Sequence, residues 1–249
     1  MSPEIKWHER FTQQAEWTAA LRKYLYKQAD LAHSSRILEV GCGTGAILSE
    51  LPNFTQAEIQ GLDLSRSRLA EASVHAKNAT FTQGNAIALP YHSHSFDVVF
   101  CHFLLLWVKE PVQSLVEMRR VTHPGGAVLL MAEPDYSHRI DQPKEMKYLG
   151  ELQTLSLIQQ GADPVMGCKL KDLMNESGIN LVESGVLKPK PRNQWDPQAW
   201  EMEWEVLESD LVGSIPESKL ASLKQADLQA WMNGTRVMLV PTYFAWGRV

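Results

Sequence analysis

A chain of 249 residues with 44% hydrophobic and 21% charged side chains has ordinary globular composition and room for one large domain, which excludes a fibrous or disordered chain. The formal net charge of −5, with no dense Lys/Arg tract, excludes the basic footprint that nucleic-acid binding draws on, so no nucleic-acid partner is expected. Cys42, Cys101 and Cys168 are odd in number, widely spaced and free of any C-x-x-C pair, which reads as three reduced thiols of a cytoplasmic protein.

The chain opens on the polar stretch Met1 to Arg10, so no secretory leader is expected. A helix is expected from about Pro3 to Ala29. Short apolar runs then alternate with helical segments: Arg36 to Val40, Glu58 to Leu62, Thr80 to Gln83, Phe96 to Cys101 and Ala127 to Ala132. The last two are nearly continuous in Val, Phe, Leu and Met, the pattern of a parallel strand covered on both faces. Between them, one helix is expected to follow a glycine-rich turn and run to Pro52. Another opens at Pro111, with Val112, Leu115 and Val116 as its apolar face. Strand and helix in alternation imply right-handed crossovers and a doubly wound α/β sheet. The longest apolar stretches, Phe103 to Val108 and Ala127 to Ala132, are far short of the roughly 20 residues that span a bilayer, so no membrane partner is expected.

Beyond Glu133 the rhythm changes. Tyr148, Leu152 and Leu155 fall on one helical face, and a further helix is expected from Lys169 to Glu176, stopping at Gly178. Lys188 to Arg192 reads as an extended connection. Asp196-Pro197 is a helix cap followed by a first-turn proline, with Trp200, Trp204 and Leu207 at helical spacing behind it. Val237 to Val249 is rich in β-formers despite Pro241 and reads as a late strand.

The most informative stretch is Ile37-Leu-Glu-Val-Gly-Cys-Gly-Thr-Gly-Ala46. Gly41, Gly43 and Gly45 lack a Cβ, so the chain can turn sharply there and admit a ligand to its backbone. Free N–H groups of the turn and of the following helix start favour anionic groups. Asp63, at the end of the second expected strand, can accept hydrogen bonds from both hydroxyls of a ribose. The pair indicates a nucleoside cofactor without saying which, since Gly41, Gly43 and Ala46 also satisfy the looser dinucleotide fingerprint G-x-G-x-x-A.

Glu39 to Gly45 resembles the first motif of the class I S-adenosylmethionine-dependent methyltransferases. Gly61-Leu-Asp-Leu-Ser65 resembles their ribose-binding strand end. Gly84-Asn-Ala86, with Leu89-Pro90 and Phe96-Asp97, is similar to their adenine segment, and His123-Pro-Gly-Gly126 to the turn before their fifth strand. The subgroup most resembled is that of the ubiquinone and menaquinone biosynthesis methyltransferases, and the motifs span about Ser35 to Glu133. The resemblance implies S-adenosylmethionine as cofactor. It also implies a seven-stranded, mostly parallel sheet with an antiparallel last strand, an N-terminal helical lid, helical insertions in the C-terminal half, and Ile179 to Leu187 and Val237 to Arg248 as the final pair. One domain would fill residues 1–249: a cap over 1–34, a cofactor half over 35–133 and an acceptor half over 134–249. By position, Glu39, Gly41, Cys42 and Gly43 would line the methionine portion, with Gly45 also in the cofactor-binding loop, Asp63 on the ribose and Leu64 beside the adenine. Asn85 and Ala86 would meet the adenine edge, and His102 and Phe103 the methionine portion or the acceptor. Asn85 stands where the family commonly has an acidic residue; its amide carbonyl can still accept from the adenine amino group.

Methyl transfer from a sulfonium is an in-line displacement that asks the protein for alignment and exclusion of water, with a general base only for some acceptors. His102 is the candidate base, with a satisfied structural histidine as an equal alternative, and Tyr136 and His138 are further residues past the fifth strand, read as an exposed loop. No metal is expected: His92, His94, Cys101 and His102 show no second spaced ligand pair. Trp195, Trp200, Met202, Trp204, Trp231 and Met232 are candidates for core, acceptor pocket or a homodimer surface. Arg10, Phe11, Gln14 and Trp17 are candidates for closing the site from the opening helix. A small-molecule methyltransferase is the leading reading. The alternatives are a nicotinamide-dependent oxidoreductase, which leaves Gly84-Asn-Ala86 and His123 to Gly126 unexplained, and a catalytically silent S-adenosylmethionine-binding subunit.

Overall fold

In a computed structural model, which describes residues 6–187 and 195–249, the chain forms a seven-stranded sheet between two helical layers, with a helical cap at one end. The expected connection Lys188 to Arg192 lies outside the described residues. In chain order the elements are α1 (Trp7–Gln28), β1 (Arg36–Val40), β2 (Glu58–Asp63), α2 (Arg66–His75), β3 (Ala79–Gln83), β4 (Phe96–Cys101), α3 (Pro111–Val121) and β5 (Thr122–Pro134). They continue with β6 (Ile140–Gln142), α4 (Met146–Gln159), α5 (Met166–Glu176), β7 (Asn180–Val186), α6 (Pro197–Leu211), α7 (Glu217–Met232), β8 (Val237–Leu239) and β9 (Thr242–Arg248).

The sheet order is β3-β2-β1-β4-β5-β9-β7. The first five strands pair in parallel, and β9 inserts antiparallel between β5 and β7. The alternation of apolar side chains explains why these strands read as unbroken hydrophobic runs. Leu38, Val99, Val128 and Leu130 point into a core completed by Leu115 and Met118 of α3 and Leu170 of α5. Their neighbours Ile37, Val98, Phe100 and Leu129 point into the opposite core, against Leu25 of α1 and Leu69 of α2. A third cluster joins Met146 and Leu149 of α4 to Trp204, Leu207 and Leu211 of α6 and Leu223 of α7.

Four expectations are corrected. No α-helix follows the glycine turn. Leu48 to Asn53 is a 3-10 segment holding Pro52, which has no N–H to donate into a regular ladder. The late strand is two strands: Pro241 interrupts the tail, so β8 leaves the main sheet to pair with β6, and only β9 completes it. The buried face of α4 carries Met146, Leu149, Gln153 and Leu157, while Tyr148 and Leu155 are exposed. Two stripes of similar hydropathy run along that helix, and the α6 contact selects the other one. Finally, β5 begins at Thr122, ahead of the expected turn, and its pairing with β4 skips register there, with Gly125 in the left-handed region. The Asp196 cap is as expected, its side chain accepting from the Gln198 and Ala199 N–H groups at 3.0 and 3.1 Å.

Candidate active site

The carboxyl ends of β1, β2 and β4 open into a continuous cavity of about 1580 Å³, roofed by α1 and continued between β5 and α6. Gly41, Gly43 and Gly45 all hold left-handed conformations, with φ of +75°, +52° and +77°. A Cβ on Gly41 would lie 2.6 Å from Leu104 Cδ1, and one on Gly43 would lie 3.0 Å from the Phe11 ring of the roof. Gly45 does not line the cavity. It faces Ala72 and Ala76 of α2, and its missing Cβ lets that helix approach the loop.

The loop is not a bare ring of donors. Gly41 and Cys42 N–H groups both donate to Leu62 O, at 2.7 and 2.9 Å, and Gly45 N–H donates to Cys42 O. With these groups spent internally and no α-helix start behind them, the loop offers fewer free donors than expected, and the carboxylates of Glu39 and Asp63 are prominent polar features beside it. Asp63 accepts from Gly43 N–H on one oxygen and from Ser65 N–H on the other, both at 2.9 Å. Its pairing ties the loop to the end of β2 and leaves a further lone pair on each oxygen. Glu39 is 2% exposed; its side chain lines the cavity, and its buried Oε2 has no hydrogen-bond partner. Burial pushes the Glu39 carboxyl well above the usual carboxylate range, against the pull of the Arg22 guanidinium and with help from the charges of Glu50 and Asp63.

Cys42, Leu64, Asn85, Ala86, His102 and Phe103 also line this cavity. Cys42 is buried, and burial raises its thiol far out of the reactive range. Leu64 is exposed at the rim, while Ala86 is buried. Asn85 is exposed, and its Oδ1 already accepts from Ile87 N–H at 3.2 Å, so the amide is held in a local turn. Phe103 is a non-glycine residue with φ +51°, its ring edge-on to His102 at 4.6 Å. The turn that carries them is fixed from below. Glu133, at the end of β5, accepts from the Leu104, Leu105 and Leu106 N–H groups, and burial raises its pKa to about 7 against those bonds.

His102 is hemmed in by protein although part of its ring edge faces the cavity. Its Nε2 lies 2.8 Å from Thr18 Oγ1 of α1. That hydroxyl donates to Ala15 O and accepts from Arg22 Nη1, which assigns the Nε2 proton to His102 as donor. Burial, followed by the Arg22 charge, depresses its pKa to about 3. A neutral, engaged imidazole of that basicity is a weak general base and agrees better with a structural histidine, the other reading of this position.

α1 closes the roof through long-range pairs. Arg10 Nη1 lies 2.6 Å from Glu203 Oε2 of α6, and Arg22 holds Glu50 at 2.7 Å. Arg10 also sits over the Trp17 ring at 5.2 Å. The far chamber is lined by Glu203, Val206 and Asp210 along one face of α6, with Tyr136, Trp195 and Trp231. Tyr136 is therefore not part of an exposed loop, whereas His138 is on the surface, 2.8 Å from Asp135. Of the aromatic concentration, Trp204 is core, and both Trp200 and Trp204 donate their indole N–H to Asp227 Oδ2 at 2.7 and 2.8 Å. Met232 is exposed. His94 Nδ1 meets Thr122 O and Cys101 is buried, so the His92 to His102 stretch assembles no ligand group among the described residues.

Residues 38–130 match the family model described as a methyltransferase domain. This match, over fewer than half of the residues, makes that segment similar to a methyltransferase domain. Within it fall the glycine loop, Asp63, the Asn85 turn and His102. The chain is 32% identical to an uncharacterized methyltransferase of Schizosaccharomyces pombe, over 55% of this chain and 54% of that one. It is 38% identical to a demethylmenaquinone methyltransferase of Shouchella clausii, over 44% of this chain and 50% of that one. The chain thus spans about half the length of the curated relatives it matches. Its fold is similar to that of a Haemonchus contortus phosphoethanolamine N-methyltransferase solved with S-adenosyl-L-methionine. The TM-score is 0.58 and the identity 19%, over 92% of this chain and 52% of that one.

Local sequence pattern does not reveal the buried charge network behind the far chamber. Asp141 pairs with Arg139 at 2.6 Å and with Arg236 at 2.8 Å, and Arg236 reaches Asp227 at 2.6 Å. No local motif carries that signal, because its members come from β6, α7 and the turn before β8. Among the described residues, no helix is long and apolar enough to cross a membrane.

Proposed function

We propose that the protein methylates a small-molecule acceptor, using S-adenosylmethionine bound at the glycine loop. One observation carries the reading: a single cavity of about 1580 Å³ joins the Glu39–Asp63 end of the sheet to the chamber beside α6. Sites for one small ligand usually occupy about 300–1,000 Å³, so this space suits a donor and an acceptor together.

The residues present fit the donor. The partnerless Glu39 oxygen suits the ammonium of a methionine moiety, and the spare lone pairs of Asp63 suit two ribose hydroxyls. Leu64 and Ala86 offer apolar contact to an adenine, beside the amide of Asn85. Bound S-adenosylmethionine supplies an electrophilic methyl group on a sulfonium, which needs no metal or covalent enzyme intermediate. The remaining work falls to positioning. Phe103, held through its N–H to Ala132 O, and Leu104, held by Glu133, form a firm floor. α1, latched by Arg10–Glu203 and Thr18–His102, covers the site and keeps water out. We assign His102 to that latch. Trp17, Tyr136, Trp195 and Trp231 with Asp210 supply a chamber for an acceptor that is partly aromatic or aliphatic and partly polar.

Thermal shift with S-adenosylhomocysteine against NADH tests the cofactor assignment. A ligand that binds only the native state contributes about 2.7 kcal/mol at a hundredfold excess over its Kd. A shift with NADH alone would establish the nicotinamide alternative. Donor turnover with a metabolite panel separates an enzyme from a silent binder.

A further inference from the structure

We propose that His8, Glu71 and His75 bind one divalent transition-metal ion of the zinc, cobalt or nickel type, which fastens the first turn of α1 to α2 beside the glycine loop. Glu71 and His75 stand four residues apart in α2, so both project from the same side of that helix. His8 reaches them from the first turn of α1. One ligand atom from each of the three residues lies within 4.8 Å of the other two. The two imidazoles are stacked, with centroids 3.4 Å apart and planes 7° from parallel.

Three features separate this cluster from a chance meeting of polar side chains. First, the donor set is chemically selective. Two imidazoles and a carboxylate form a set that holds zinc with a water in the fourth position, whereas calcium and magnesium prefer oxygen alone. Second, His8 is already oriented by a buried partner, since its Nδ1 lies 3.0 Å from the hydroxyl of Thr44, which is wholly buried. A hydrogen bond to the second ring nitrogen is the usual support of a ligating histidine, and it leaves Nε2 for the ion. Third, among the described residues neither the Glu71 carboxylate nor the His75 ring has a hydrogen-bond partner, so binding an ion breaks no existing bond. Ligand atoms around tetrahedral zinc sit about 3.4 Å apart, from bonds of about 2.0–2.2 Å. Closing to that spacing requires the rings to splay out of their stack, and exposed His75 has room to turn.

The position gives the ion a consequence. Thr44 lies between Gly43 and Gly45, and Phe11, one turn beyond His8, covers Gly43. An ion bridging residue 8 to residues 71 and 75 therefore holds the roof down over the loop. The proposal stands apart from the methyl-transfer reading, because its evidence and its test use no donor.

Untagged full-length protein, freed of metal by chelator, would be titrated with Co²⁺ and with Zn²⁺ by equilibrium dialysis. Hydrogen exchange of α1 would be followed with and without Zn²⁺. One equivalent should bind, with Co²⁺ giving a visible absorption band that Zn²⁺ abolishes. His75→Ala and Glu71→Gln should weaken binding by at least about tenfold, a change of about 1.4 kcal/mol. Their metal-free Tm should stay at the wild-type value, and His33→Ala, on an exposed histidine elsewhere, should bind as wild type. Exchange in the first turns of α1 should slow with Zn²⁺. Absence of stoichiometric binding, or equal affinity in His75→Ala and Glu71→Gln, overturns the site. Binding that leaves α1 exchange unchanged overturns its fastening role.

Discussion

Replacing Glu39 with Gln tests the link between the buried carboxyl and donor binding. Glu39 is 2% exposed, one oxygen has no partner, and burial holds its carboxyl well above the normal range. Without ligand, the native state therefore keeps a proton that the unfolded chain loses near pH 4.3. Stability contributed by this site falls as pH rises from that value toward the raised pKa, by up to about 1.4 kcal/mol per unit. Glutamine removes the penalty, so the ligand-free Tm at pH 8 should be equal to or above wild type. A ligand ammonium beside the Glu39 carboxylate reverses the balance: the carboxyl ionises, a proton is released, and affinity rises with pH up to the raised pKa. A hydrogen bond to a charged group contributes about 1.5–3 kcal/mol. Glu39→Gln should therefore weaken S-adenosylhomocysteine binding by roughly 10- to 150-fold. Calorimetry in two buffers of different ionisation enthalpy should find proton release in wild type and none in the variant. If Glu39→Gln binds S-adenosylhomocysteine within a factor of two of wild type, with the same pH profile, this account of Glu39 is wrong.

Gly43→Ala places a Cβ in the left-handed region 3.0 Å from Phe11, so it should lower Tm and also reduce donor affinity. Gly213→Ala has φ +77° but open space around it, so it should show the conformational cost of about 1–2 kcal/mol with affinity intact. Glu203→Gln takes the carboxylate charge from Arg10, which keeps its bond to Gln13, and costs up to about 3–5 kcal/mol where pairs are well buried. Hydrogen exchange should accelerate along α1 and stay unchanged in β5; uniform acceleration would refute the latch. His102, with a pKa of about 3 in the fold and about 6.5 unfolded, contributes stability above pH 6.5 that is lost as pH falls toward 3. His102→Gln should flatten that acid limb in urea titrations at pH 7, 5.5 and 4.5. An inflection of kcat near pH 6.5 that disappears in His102→Gln would restore it as a base.

What the sequence by itself determined is what short-range spacing encodes. The five parallel strands, the turn of Gly41, Gly43 and Gly45, the carboxylate of Asp63 one strand over and the Asp196 cap are each written within a few residues, since covered strands demand unbroken apolar runs and left-handed turns demand glycine. Tertiary structure alone decided how those parts are used. It placed Gly45 against α2, spent the loop N–H groups on Leu62 and Asp63, and turned His102 into a neutral latch on Thr18. It also joined Arg10 to Glu203, separated by 193 positions, and His8 to His75. The physical reason is that the charge state and partners of a buried group depend on what folds around it, and those neighbours arrive from distances along the chain over which local pattern carries no information.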